Sequence, residues 1–318
     1  MIWSKTFRFA LCLGLVAGPA AGAVGVGEVL EPVMAGEFAL QAGDLPEASQ
    51  HYLRAALASE DPGVAERATR IALLAGRHGQ AGEALARWRS LAPDSKAVKG
   101  AAVQLALARQ DAAAGLEAAR ALVALPEGAG LPTLLSALGD GRGAGVAVAR
   151  EILAGLYAGN HMPASLGGWL AMAGLARRLE DRALGERLVA EGIERFPEDP
   201  RALLLTSARL REQGRDEAAR EQLIALGDPA ALAPELRRAV ARQHALLGDP
   251  VAAAAALGAG PQDEDTLRQR ARWLIQAGDR ASLARFYVEV AGLSSTPAPE
   301  RRLLLGLLAE SLLRWGEA

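Results

Sequence analysis

Cysteine is all but missing from this chain: Cys12 is the only one, and it lies in an apolar stretch near the N-terminus. Disulfides are therefore excluded, and so are thiolate metal sites beyond that stretch. Aromatic residues make up 4% of the sequence although 51% of it is hydrophobic, so any core must be assembled from Ala, Leu and Val. The apolar/polar alternation of strands is lacking as well, which predicts an all-α protein. Neither sign of charge dominates, with 35 basic against 37 acidic residues. That balance gives no general attraction to nucleic acid or to an acidic membrane. Lysine is nearly absent after Lys5, leaving Lys96 and Lys99, so arginine carries the positive charge.

The first residues read as a targeting segment. Lys5 and Arg8 precede the apolar run from Phe9 to Val16, Gly18-Pro19 breaks it, and Ala21-Gly22-Ala23 supplies small residues for cleavage after Ala23. This is the pattern of a secretory signal peptide over 1–23, with an apolar run too short to span a bilayer. Phe9-Ala10-Leu11 before Cys12 do not form a lipidation site, so an exported, non-lipidated protein of the periplasm or envelope is expected.

What the chain has in quantity is a recurring phrase. Gly43-Asp44, Gly79-Gln80, Gly214-Arg215, Gly248-Asp249 and Gly278-Asp279 each follow an Ala/Leu-rich dozen and precede an alanine-rich run. The spacings 43→79, 214→248 and 248→278 are 36, 34 and 30 residues. A recurrence of about 34 residues is the mark of helix pairs stacked into a solenoid. Each pair needs small residues where its two helices cross and larger ones in the wedge between pairs. Gly36, Ala39, Ala48 and Tyr52 fit this, followed by Ala72, Ala75, Ala84 and Trp88 around Gly79. Further on, Trp169, Ala173, Ala176, Gly185 and Val189 form one set, and Leu203, Ser207, Leu210, Ala219 and Leu223 the next. Ala241, Ala253 and Leu257, then Ala271, Leu274 and Tyr287, complete the series. In a third pair Gln110 or Asp111 replaces the turn glycine, and around 131–157 the first helix is short and a glycine run, 139–145, follows it.

These residues resemble the tetratricopeptide repeat (TPR) family over 29–126 and 164–292. The resemblance implies a TPR-like right-handed α-solenoid of stacked helix-turn-helix pairs. The organisation expected is a signal peptide (1–23), an N-terminal arm (24–126), an irregular unit flanked by loops at Pro126–Pro132 and Gly159–Gly168 (127–163), and a C-terminal arm (164–318) incomplete at its end. Within the first arm, Ala39-Leu40-Gln41-Ala42-Gly43, Tyr52-Leu53-Arg54-Ala55-Ala56 and the stretch Asp61 to Ala72 are similar to proteobacterial envelope TPR proteins. Among these are lipoprotein adaptors of periplasmic carboxy-terminal processing proteases, whose lipidated cysteine has no counterpart here.

Motifs for chemistry are scarce. The run from Gly139 to Gly145 lacks the preceding strand that a dinucleotide fingerprint needs, because Leu134–Leu138 reads as helix. No Gly-Lys-Ser/Thr phosphate loop, His-Glu-x-x-His helix or Gly-x-Ser-x-Gly elbow occurs. His51, His78, His161 and His244 are far apart in sequence, and Ser165 has no evident base. No enzyme activity, cofactor or metal is expected.

One charge pattern stands out. In the resemblance, the inner faces of successive first helices line a concave, partner-binding surface. In the last three full units those faces carry Arg201, Arg211, Arg238, Arg242, Arg268 and Arg272, whereas the N-terminal counterparts, such as Val33, Leu40 and Leu73, are bland. Arginine's planar fork grips carboxylates bidentately. The function read from this is a non-enzymatic scaffold or adaptor binding protein or peptide partners, with acidic segments or free carboxylates. The alternative is an accessory protein in cell-surface polysaccharide synthesis or export. The last helix, with Leu303, Leu304, Leu305, Leu307, Leu308, Leu312, Leu313 and Trp315, is apolar nearly all round. Such a face calls for a cover: self-association through residues 300–315, a partner, or further repeats of a longer relative.

Overall fold

The computed structural model describes residues 26–293 and 298–314. The leader with Cys12, and Trp315 to Ala318, lie outside the described residues. The fold is all-α, built from TPR-like helix-turn-helix pairs, with no strand among the described residues. The helices are α1 (Val26–Gln41), α2 (Leu45–Ala58), α3 (Pro62–Leu74), α4 (His78–Leu91), α5 (Lys96–Arg109), α6 (Ala112–Val123), α7 (Leu131–Gly139), α8 (Ala144–Ala158) and α9 (Leu166–Arg178). They continue as α10 (Arg182–Arg195), α11 (Pro200–Glu212), α12 (Asp216–Ala225), α13 (Pro234–Leu246), α14 (Pro250–Gly258), α15 (Glu264–Ala277), α16 (Arg280–Gly292) and α17 (Ala298–Arg314). The described residues divide into two compact units, one of 26–122 and 136–148, the other of 123–135, 149–293 and 298–314.

The repeated phrase has a physical cause. At Gly43, Gly214 and Gly248 its first residue is left-handed, and the amides of that residue and the next return to the preceding helix. Gly43 N–H bonds Leu40 O and Asp44 N–H bonds Ala39 O, a Schellman turn. Asp44 then caps α2 by accepting from the Glu47 amide, and Asp249 and Asp181 cap α14 and α10 in the same way. Glycine recurs because φ is positive there, for instance +78° at Gly248 and +68° at Gly278.

Where glycine is missing the turn survives. Gln110 (φ 57°) and Glu180 (φ 63°) take its place at the ends of α5 and α9. The second pair corrects the sequence reading: Gly79 is helical, inside α4, and the left-handed turn is at Gly76 (φ 66°). Arg77, not Gln80, is therefore the residue that precedes the second helix, and His78 is its first residue. The crossing residues of that pair become Thr69 and Ala81, and both are fully buried. The loops are also shorter than expected: α7 starts at Leu131, and Ser165 caps α9 by accepting from Gly168 N–H, so Leu166 to Gly168 are helical.

Valine at Gly248 or Gly278 is expected to cost on the order of 1 kcal/mol or more, because a β-branched side chain is strained at positive φ. No atom lies within 4 Å of a Cβ at either site, so the cost is backbone strain rather than collision. Chemical denaturation measures it, and an unchanged midpoint at both sites would refute the turn geometry.

In the first unit the core runs through Ala48, Tyr52, Ala68, Ile71, Ala84, Leu85 and Trp88. The second unit has a core of its own at its C-terminal end, where Leu267, Ala271, Leu274, Leu283 and Phe286 meet Leu304 and Leu308 of α17. Alanines at the crossings let the helices approach, and the few aromatics fill the wedges.

Candidate functional site

Side chains of α13, α15 and α17 line two successive depressions in the second unit. Arg238, Arg242 and Ala245 of α13 line the first, opposite Asp265, Thr266, Gln269 and Trp273 of α15. Arg268, Arg272 and Ile275 of α15 line the second, opposite Arg302, Leu303, Gly306, Leu307 and Glu310 of α17. The two are equivalent by register: each arginine pair sits 10 and 6 residues before its left-handed glycine, Gly248 or Gly278. Four residues of spacing puts both arginines of a pair on one helical face.

Their states differ. Arg268 is ion-paired with Glu264 along its own helix. Arg238, Arg242 and Arg272 are exposed, and no ion pair holds them among the described residues. Arg238 acts on Asp263 at a distance. The carboxyl of Asp263 is held below its usual range first by the Thr266 hydrogen bonds, with Arg238 adding a smaller effect. The two remaining arginines of the sequence reading line neither depression. Arg201 is clamped by Asp199, which accepts from its Nε at 2.9 Å and its Nη2 at 2.5 Å. This fork lowers the Asp199 pKa and raises that of Arg201. Arg211 lies 3.7 Å from Glu212, with its Nε buried and unbonded.

The sequence reading missed the opposite walls. Trp273 faces the first arginine pair, and Leu303 and Leu307, read from the sequence only as an apolar face, stand opposite the second; the signal for them is their place on the following first helix. It also missed two arginines that are structural. Arg237 is 7% exposed and donates to the carbonyls of Pro229, Ala230 and Leu232, fastening the loop before α13. Arg270, equally buried, is forked onto Glu289.

In the first unit a third depression is lined by Arg70, Leu73 and Leu74 of α3, by Gln104 and Leu107 of α5, and by Asp140 to Arg142. Leu74 is 74% exposed there. Arg70 is already paired with Glu66. The histidines are not brought together. His161 donates its amide to Leu156 O, closing the turn after α8, and the ring of His244 is half-buried, which lowers its pKa despite Asp249 nearby. Among the described residues no cluster of three or more His, Cys, Asp or Glu side chains could hold a metal, and no helix is long and apolar enough to cross a membrane.

No family model and no curated protein matches this sequence. Among solved structures the chain is similar to a tetratricopeptide repeat protein from Parabacteroides merdae, at 12% identity over 89% of this chain and 99% of that one, with a TM-score of 0.32. It is also similar to the TPR domain of P58(IPK), at 15% identity over 90% of this chain and 98% of that one, with a TM-score of 0.25.

Proposed function

We propose that this protein is a non-enzymatic scaffold of the bacterial periplasm or envelope that binds acidic protein segments along the inner face of its second unit. The observation that carries the reading is the repeated depression: arginine pairs at identical helix positions, one repeat apart, with Arg238, Arg242 and Arg272 exposed and not ion-paired among the described residues. A side chain held in water without a partner loses little when a carboxylate arrives, and the guanidinium fork then forms charge-assisted hydrogen bonds. Export rests on the leader pattern of residues 1–23. The resemblance of the N-terminal arm supports an adaptor for a periplasmic processing protease as the specific role.

A second reading, an accessory protein for a surface polysaccharide, is favoured by Trp273 beside Asp265 and Gln269 in the arginine-lined depression, since a ring face with flanking polar groups suits a sugar. Titration of a fluorescent poly-glutamate peptide and of an anionic oligosaccharide separates the two. Reversing Arg238, Arg242, Arg268 and Arg272 to glutamate is expected to weaken peptide binding at least a hundredfold, since hydrogen bonds to charged groups are worth about 1.5–3 kcal/mol each. Helicity by circular dichroism should stay unchanged. Equal peptide affinity of wild type and variant would overturn the assignment, and tight binding of the saccharide alone would replace it with the second reading.

A further inference from the structure

We propose that the groove between α15 and α17 receives helix α1 of a second copy of this chain, so that copies join head to tail. The inference rests on the reading that the inner face binds protein segments, and it names the segment that the second depression takes.

The groove is unlike its neighbour. It encloses about 760 Å³, and its walls are Leu267, Ile275, Leu303, Leu304 and Leu307, where the first depression sets Thr266, Gln269 and Trp273 beside Leu246 and Leu257. Leu303 is 75% exposed and Leu307 49% exposed, although both stand on the helix that carries the buried Leu304 and Leu308. Gly306 between them leaves the wall open enough for a helix to approach, with no atom within 4 Å of where its Cβ would be. The rim carries Arg268, Arg272 and Arg302 with Glu264 and Glu310. Both acids are already engaged, Glu264 by Arg268 and Glu310 by Arg314. Arg272 is exposed with no ion pair among the described residues. The groove therefore asks for a helix with an apolar ridge and carboxylates beside it.

Helix α1 answers that description. Leu30, Met34 and Phe38 are 52%, 49% and 63% exposed. Spaced four apart, they form one ridge about 12 Å long at 1.5 Å per residue. The α17 wall from Arg302 to Glu310 has the same length by the same measure. The sixteen residues of α1 include Glu28, Glu31 and Glu37 and no basic residue. Glu37 is occupied by Tyr52 and Arg67, whereas Glu28 and Glu31 are exposed and, among the described residues, free of ion pairs. Apolar ridge matches apolar wall, and Glu31, about 60° round the helix from that ridge, is an uncommitted carboxylate for an uncommitted arginine, whereas Glu28 lies about 120° away from it. Exposed apolar stripes rimmed by charge are interaction surfaces rather than ordinary solvent faces.

The two surfaces differ, so the contact is heterologous and leaves one of each unused on every pair of copies. That asymmetry gives a decisive test. The full chain is sedimented from low to high micromolar concentration, as wild type, as a head variant (Met34→Glu with Phe38→Glu) and as a tail variant (Leu303→Lys with Leu307→Lys). All four residues are exposed, and circular dichroism checks that helicity is kept. Wild type should grow with concentration beyond a dimer, each variant alone should stay monomeric, and an equimolar mixture of the two should form a dimer. The mixture works because the head variant retains its groove and the tail variant retains its α1 ridge.

A wild type that stays monomeric throughout, or a mixture that stays monomeric, overturns the proposal. So does association lost in the tail variant but kept in the head variant, which would mean that α17 pairs with itself. Neither variant touches Arg238 or Arg242. Poly-glutamate binding retained while complementation fails therefore overturns head-to-tail contact alone, and the converse overturns the acidic-segment reading alone.

Discussion

Replacing Tyr52 by alanine should destabilise the first unit by about 3–5 kcal/mol, the cost of emptying a buried aromatic site. The ring is 1% exposed and is held on three sides. Beneath it runs Gly36, where a Cβ would come within 2.7 Å of the ring. Above it the Arg67 guanidinium lies 5.2 Å from the ring centroid, and at its tip the hydroxyl donates to Glu37, which also accepts from Arg67. Burial first, and the Glu37 hydrogen bond second, push the hydroxyl pKa up to about 12. Because the folded value lies above the unfolded one, this group's stabilisation is complete below about pH 10 and is lost as pH rises toward 12. Tyr52→Phe keeps the ring, so it should cost only about 1 kcal/mol and remove that alkaline loss. Gly36→Ala should cost about 1–3 kcal/mol by overpacking, and combining it with Tyr52→Leu should cost less than the sum, since the two sites share one contact. Hydrogen exchange of α1 and α2 is the suitable readout, because neighbouring repeats can open separately. Protection unchanged within 1 kcal/mol in Tyr52→Ala would show that the pair is not built around this ring.

The helical pairing was legible because its cause is local. A left-handed residue followed by an N-cap needs glycine and aspartate, and both words stand in the sequence at Gly43-Asp44, Gly248-Asp249 and Gly278-Asp279. The same turn at Gly76-Arg77 was misplaced by three residues, since Gly79-Gln80 resembles the phrase while Arg77 offers no capping oxygen. Alanine is so frequent in α3 and α4 that either register finds small residues for the crossing. At Glu180-Asp181 only the cap is written, and the sequence shows no reason for glutamate at positive φ. The arginine face was half legible. Spacing put Arg238 with Arg242 and Arg268 with Arg272, but a first-helix face alone says nothing about the wall opposite, which comes from the next pair. Nor does composition tell a solvating arginine from Arg237 and Arg270. Their burial depends on the carbonyls of 229–232 and on Glu289, and these are set by how the hairpins meet.

Glu289→Ala should cost the C-terminal pairs about 3 kcal/mol, more than Arg270→Met, although the second change removes the larger side chain. The fork joins Arg270 Nη1 and Nη2 to the two carboxylate oxygens at 2.5 and 2.8 Å. The guanidinium lies 4.5 Å over the Phe286 ring and also reaches Gln262. Burial is uneven, with the Arg270 side chain 8% exposed and that of Glu289 40%. Removing the carboxylate leaves a buried cation whose Nε already lacks a partner, and an orphaned buried charge costs about 3–5 kcal/mol. The exposed side of Glu289 lets water in, which places the expected value at the low end. Removing the arginine instead leaves a carboxylate that can turn to solvent, and methionine keeps the apolar stem against Phe286, so about 1–2 kcal/mol is expected. The double variant should then resemble Arg270→Met alone, because the penalty for Glu289→Ala exists only while the cation is present. Urea denaturation of the three variants decides the order. Arg270→Met as the costlier single change would mean that the guanidinium acts chiefly as packing over Phe286, and near-additive costs would mean that the fork contributes nothing as a pair.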